Sequence, residues 1–197
     1  AWIGDEMETV GFIGLGNMGG PVAGHIQKAG YPMVVYDIQV EPARFFSARG
    51  AVVADSPAAV ARRSDVIITA LPTPEDVEQV ARGPLGIVEG IRRGAIYIDI
   101  STSPPSLIRK LEPLFRDKGA FVLDSPVGPG QPGAERGIHE VMVGGEQEIF
   151  ARVKPILCAF GDQILYAGPL RSGSICKLVH QMIGCSISQA IAEGLTL

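Results

Sequence analysis

Val10-Gly11-Phe12-Ile13-Gly14-Leu15-Gly16-Asn17-Met18-Gly19 is a short apolar run that leads directly into a G-x-G-x-x-G turn. Glycine turns alone are common, but this one has the flanks that dinucleotide binding needs: a strand-like run before it, a helix-patterned segment after it (Val22–Ala29), and a second apolar run beyond (Met33–Tyr36). In that βαβ setting Gly14 makes the tight turn. Gly16 lets backbone approach a pyrophosphate, and Gly19 lets the helix pack closely on the strand. The N-terminus of the helix then faces the phosphates. Asp37 follows the second run, 18 positions after Gly19, and no arginine comes immediately after it. A carboxylate at that place accepts hydrogen bonds from a ribose 2′-hydroxyl and repels a 2′-phosphate, so the reading is NAD rather than NADP.

The same alternation continues outward from this unit. Apolar runs at Thr9–Ile13, Met33–Tyr36, Val66–Thr69, Ala95–Ile98, Ala120–Leu123 and Val141–Val143 are separated by helix candidates Val22–Ala29, Pro42–Arg49, Pro57–Arg62, Ser106–Lys118 and Gln147–Leu157. Such alternation predicts an α/β, Rossmann-like doubly wound and mostly parallel sheet. Gly30, Gly50 and Gly119 stand where helix-terminating glycines belong. After a turn expected at Ala167–Gly173, apolar residues recur at Ile175, Leu178, Val179, Met182, Ile183, Ile187 and Ile191, a helical spacing. The expected division is a Rossmann domain over 1–167 and, over 168–197, the start of a long helix leading to a missing all-helical domain.

Bulk properties exclude other classes. A hydrophobic fraction of 46%, a charged fraction of 19% and a net charge of −4 describe a globular chain with no attraction for nucleic acid or an anionic membrane. No apolar stretch of about 18 residues suggests a membrane span. No signal peptide is legible, and Cys158, Cys176 and Cys185 lack metal-ligand spacing. They read as small buried hydrophobes of a reduced, cytoplasmic protein, and no metal site is expected.

The Gly11–Gly19 segment with Pro21, then Leu71-Pro72, Asp99-Ile100-Ser101-Thr102, Asp124-Ser125-Pro126-Val127, Met142-Val143-Gly144-Gly145 and Gly168–Lys177, taken in order, resemble the β-hydroxyacid dehydrogenase family. That family includes 3-hydroxyisobutyrate dehydrogenase, tartronate semialdehyde reductase and 6-phosphogluconate dehydrogenase. The resemblance spans essentially the whole chain. It implies an NAD-dependent oxidoreductase acting on a small 3-hydroxy acid or its semialdehyde, homo-oligomeric when full length. It places Leu71, Pro72 and Thr102 along the ribose and nicotinamide end of the cofactor, and Ser101 with the substrate. Without it, Leu71-Pro72 is a strand-end turn, and Ser103 or Thr102 caps the helix that starts at Pro104. The resemblance also gives Lys177, after the glycine-rich turn at 168–173, the proton-transfer role. Lys177 is one of five lysines and lies in an apolar, nearly uncharged helix. Such a lysine either snorkels to solvent or serves a site.

Departures from the family pattern concern the substrate. Where relatives have Asn-Asn or His-Asn after the lysine, this chain has His180-Gln181. Gln181 keeps an amide, and His180 reads equally as a substrate contact or a half-buried helix histidine. Gly184 stands where 6-phosphogluconate dehydrogenase has a glutamate, which argues against oxidative decarboxylation. The usual Pro-Val-Ser-Gly-Gly carboxylate loop is Pro126-Val127-Gly128-Pro129-Gly130 here. It lacks a hydroxyl at 128, and Pro129 has no N–H. Ser125 faces away if the segment stays extended. An imine reductase-like enzyme and a non-catalytic dinucleotide-binding scaffold are the alternatives, and both are disfavoured by Lys177, because the relatives of those kinds lack the lysine.

Overall fold

The alternating pattern becomes a sheet covered on both faces. The computed structural model describes residues 7–128 and 130–196, and the statements below refer to these. β1 (Val10–Ile13), β2 (Met33–Tyr36), β3 (Val52–Val53), β4 (Val66–Thr69), β5 (Ile96–Asp99) and β6 (Phe121–Asp124) are parallel, in the order β3-β2-β1-β4-β5-β6. Helices α1 (Gly19–Lys28), α2 (Val40–Ser47), α3 (Pro57–Arg62), α4 (Pro74–Arg82), α5 (Ile87–Gly90) and α6 (Pro105–Asp117) lie between them in sequence. The chain winds outward from β1 to β3 and then returns to β4, so the strand order reverses between β1 and β4. Ligands of open parallel sheets bind in the crevice at such a switch point.

Period-two alternation assigns each strand residue to one of two cores. Val10, Phe12, Val66, Ile68, Ile96, Ile98 and Leu123 pack with Val22 and Ile26 of α1. Ile13, Ile67, Tyr97 and Val122 pack on the opposite face with Val60, Val77, Leu111 and Phe115. Tyr97 and Phe115 stack with ring centroids 4.7 Å apart. Gly30, Gly50 and Gly119 all have positive φ (95°, 92° and 70°), as expected of residues just past helix ends.

Beyond β6 the chain remains extended and forms β7 (Val127–Gly128). Both strands pair antiparallel with β8 (His139–Gly144) in one continuous register: Asp124 opposite Gly144, Val127 opposite Val141, Gly128 opposite Glu140. α7 (Gln131–Arg136) lies in the connection, and α8 (Gln147–Leu157) leads to β9 (Gly161–Gly168), which pairs parallel to β8. The first half of β8 therefore projects past the carboxyl ends of the parallel strands. The long helix α9 (Ser172–Leu195) follows.

Several expectations need correction. The segment at Ala167–Gly168 is the end of β9, and the helix starts only at Ser172. β9 carries no apolar alternation because it is half exposed, with Asp162 and Gln163 facing water. β3 and β7 are two residues each, too short for any pattern. α4, absent from the expected helices, has a local signal: Thr73 Oγ1 accepts from the Asp76 N–H at 3.1 Å, and Pro74 opens the helix. The cysteines are not buried. Cys158 and Cys185 are exposed and Cys176 is intermediate, because two of them lie on α9, whose outer side is uncovered. On that side Ile175, Leu178, Val179, Met182, Ile183, Ile187 and Ile191 are between 40% and 63% exposed. No helix among the described residues is long and apolar enough to cross a membrane.

Candidate cofactor cleft and active site

Ile13, Tyr36, Thr69, Asp99 and Asp124 are register partners across neighbouring strands and end β1, β2, β4, β5 and β6. The residues that follow them therefore emerge along one edge. That edge collects Gly14, Asp37, Leu71, Ser101 and Ser125, which are scattered over more than a hundred positions of sequence.

The glycine turn is built by contact. Gly14 has φ 91°, and a Cβ there would strike the Ala70 carbonyl; a Cβ at Gly19 would strike the Gly14 carbonyl. Gly16 differs: its Cβ would meet nothing within 4 Å. Gly16 and Asn17 are exposed, Met18 is half-buried, and Leu15 is buried in the core. An open backbone at the start of α1 suits a pyrophosphate, so the residues fit the dinucleotide. Asp37 Oδ2 accepts from the Leu15 N–H at 2.6 Å, and Oδ1 accepts from the Gln39 N–H at 2.8 Å. These bonds fix the carboxylate beside the turn and leave lone pairs for ribose hydroxyls.

Farther along the edge, Asp99 is a buried hub. Its Oδ1 accepts from Thr69 Oγ1 (3.0 Å) and the Ser101 N–H (3.1 Å), and its Oδ2 accepts from Ser103 Oγ (2.7 Å). Burial raises its pKa above the usual carboxylate range, against these hydrogen bonds, which lower it. The expected helix cap is thus corrected. Ser103 spends its hydroxyl on Asp99, Thr102 is exposed, and α6 begins at Pro105 with no side-chain cap. Ser101 Oγ accepts from the Leu71 N–H at 2.9 Å, tying the ends of β4 and β5 together, with Pro72 exposed beside them.

Lys177 is only 8% exposed, so it does not snorkel. Two devices bring it there. Asp124 Oδ1 accepts from the Arg171 N–H (2.7 Å) and Oδ2 from the Ser174 N–H (2.6 Å), so a carboxylate on β6 holds the first turn of α9. Gly144 and Gly173 then let backbones meet, since a Cβ at Gly173 would strike the Met142 carbonyl oxygen and a Cβ at Gly144 would strike Asp124. One turn after Ser174, Lys177 Nζ stands over Gly128, 3.1 Å from the position a Cβ would take. Desolvation lowers the lysine pKa, and the nearby Glu140 carboxylate opposes part of that shift.

The structure therefore brings Lys177, Gly128 and His180 together and adds Glu140. Gln181 lies exposed on α9, Gly130 is exposed after the loop, and Pro129 lies outside the described residues. Ser125 is buried, with its hydroxyl turned away from solvent. Sequence reasoning assigned no role to Asp99, Asp124 or Glu140. The first two had a signal, a carboxylate closing an apolar strand, whereas Glu140 had none.

This edge, with its open glycine turn and anchored aspartate, defines a nicotinamide dinucleotide-binding domain. The chain belongs to the family of the NAD binding domain of 6-phosphogluconate dehydrogenase, which matches residues 9–168. It is 41% identical over 192 residues to an uncharacterized oxidoreductase of Bacillus subtilis, covering 94% of this chain and 67% of that protein. It is 37% identical over 188 residues to the mitochondrial 3-hydroxyisobutyrate dehydrogenase of Mus musculus, covering 95% of this chain and 56% of that enzyme. Among solved structures, a 3-hydroxyisobutyrate dehydrogenase of Mycobacterium tuberculosis superposes with a TM-score of 0.89 at 31% identity, over 95% of this chain and 64% of that one. An imine reductase from Pseudomonas sp. reaches 0.84 at 16% identity over 96% and 65%, a likeness of fold alone. The chain thus spans between just over half and two thirds of the length of these curated relatives.

Proposed function

We propose that the protein is an NAD-dependent oxidoreductase moving hydride between nicotinamide and the hydroxyl-bearing carbon of a small 3-hydroxy compound. The resemblance to the β-hydroxyacid dehydrogenases supports a 3-hydroxy acid or its semialdehyde, and the relatives named 3-hydroxyisobutyrate dehydrogenase support the acid. The observation that carries the proposal is Lys177, desolvated and held beyond the carboxyl end of β6, on the same edge of the sheet from which the glycine turn emerges. When bound, the nicotinamide supplies the hydride acceptor or donor. Lys177 Nζ, as the neutral amine, takes the hydroxyl proton during oxidation and returns it during reduction. Burial favours that neutral form. Leu71, Pro72 and Thr102 are assigned to the ribose and nicotinamide end of the cofactor, and Ser101, Gly128, Pro129, Gly130, His180 and Gln181 to the substrate. Retention of Lys177 favours this over the imine reductase and scaffold readings. The test is nicotinamide reduction by the intact protein with a panel of small alcohols bearing acidic, neutral and basic groups. Absence of turnover with every member, with NAD bound, would leave the scaffold reading.

NAD is the proposed preference over NADP. Asp37 occupies the place a 2′-phosphate would need, and Ile38 and Gln39 follow it without a cation. Asp37→Ala should weaken NAD roughly 10–100-fold, the worth of a hydrogen bond to a charged group. NADP should lose less or gain. Titration of both nucleotides checks this, and tighter NADP binding by the parent protein refutes it.

The uncovered face of α9 supports self-assembly. Contiguous apolar surface of this kind is normally covered. The 197-residue chain is expected to sediment as an oligomer, and Met182→Lys with Ile183→Lys to shift it toward monomer. A parent chain that sediments as monomer at micromolar concentration sinks the idea.

A further inference from the structure

Gly128 and Glu140 are directly opposed in the β7–β8 pairing, so the pleat presents them on the same face. The point where a Cβ at Gly128 would stand is 3.1 Å from Lys177 Nζ and 3.9 Å from Glu140 Oε2. The position of the missing side chain is therefore flanked by the Lys177 amine and the Glu140 carboxylate. His180 Nδ1 lies 3.9 Å from the same Oε2. The Glu140 side chain is 40% exposed and that of His180 52% exposed, so this carboxylate faces an opening and not the core.

We propose that Glu140 is a specificity-determining residue that excludes a substrate carboxylate from beside Lys177 and receives a cationic ammonium there, so that the compound oxidised is a small amino alcohol, or an amino aldehyde in the reverse direction. The inference rests on the hydride-transfer reading of the Lys177 site. A substrate must bring its hydroxyl to Lys177, and its neighbouring group then lies close to Glu140. A carboxylate in that position meets a like charge beside the buried lysine. The loop offers little to offset this, because residue 128 has no hydroxyl and residue 129 no N–H. An ammonium in the same position pairs with Glu140 and leaves the Lys177 amine free to take the proton.

The test compares 3-amino-1-propanol with 3-hydroxypropionate, close in size and opposite in charge, as substrates of the intact protein with saturating NAD. The parent should favour the amine in kcat/KM by about tenfold or more, the order expected when a like-charge contact replaces an ion pair. Glu140→Gln should erase or reverse that ratio, Glu140→Asp should retain it, and NAD affinity should stay constant in all three. A parent that favours the acid, or a ratio unmoved by Glu140→Gln, overturns the proposal. Calorimetric binding of propylamine and propionate to the NAD complex keeps the two readings apart. Charge selection that depends on Glu140 without turnover of any alcohol removes the hydride-transfer reading, and with it the amino alcohol as the compound oxidised, and leaves only the preference of Glu140 for a cation. Turnover with a charge-blind pocket does the reverse.

Discussion

Lys177→Ala is expected to bind NAD as the parent does and to transfer hydride roughly 10²–10⁴-fold more slowly, the usual worth of a positioned acid or base. Affinity should hold because the proposed dinucleotide cradle, built from Gly14, Gly16, Gly19 and Asp37, makes no use of α9. The loss should fall on kcat. A loss confined to KM would mean that Lys177 only tethers substrate. The pH profile gives a second readout. Burial holds the lysine pKa below its ordinary value, so the oxidation rate should rise with pH through a limb lying below the usual lysine range. Lys177→Ala should abolish that limb. The charged and titratable groups near the lysine are Glu140 of β8 and, on α9 itself, His180. Because the Glu140 anion stabilises the ammonium, Glu140→Gln should move the limb to still lower pH. A fully active Lys177→Ala enzyme would end this mechanism.

Asp124→Ala should cost about 2–5 kcal/mol of stability, since it leaves two backbone donors without their acceptor, one of them on buried Ser174. For a chain of this size that corresponds to roughly 5–15 °C in Tm. Activity should fall together with stability while NAD still binds, because the first turn of α9 sets where Lys177 stands. Asp124→Asn keeps one acceptor oxygen and should fall between. An unchanged Tm and rate in Asp124→Ala would show that the glycine contacts at 144 and 173 hold the helix by themselves. The pH dependence has a definite sign. Desolvation, the largest influence, raises the Asp124 pKa in the folded protein. The folded state therefore binds this proton more tightly than the unfolded chain does. That contribution is complete below the ordinary carboxylate pKa and is lost as pH rises through the raised value. Mild acid should not unfold the protein through Asp124, and a melt series across that range reads it directly.

The amino-acid sequence by itself determined the parts of this protein whose physics is local. The glycine turn, the strand before it and the helix after it lie within some twenty consecutive residues, and Asp37 follows one strand later, so spacing alone points to the proposed cofactor cradle. The parallel sheet was legible for the same reason, since each buried strand is a continuous apolar run that needs no partner to be recognised. The family pattern singled out Lys177 and the altered loop at 126–130, but it gave no account of how the lysine is held or of what replaces the loop's lost hydroxyl. Those matters depend on residues brought together across 47 and 50 positions, as in the grip of Asp124 on α9, and on the register that sets Glu140 opposite Gly128. A shift of one residue in that register would turn Glu140 to the other face and away from Lys177. Local pattern carries no record of such a choice; only the packed sheet and helix decide which charges share the proposed substrate site.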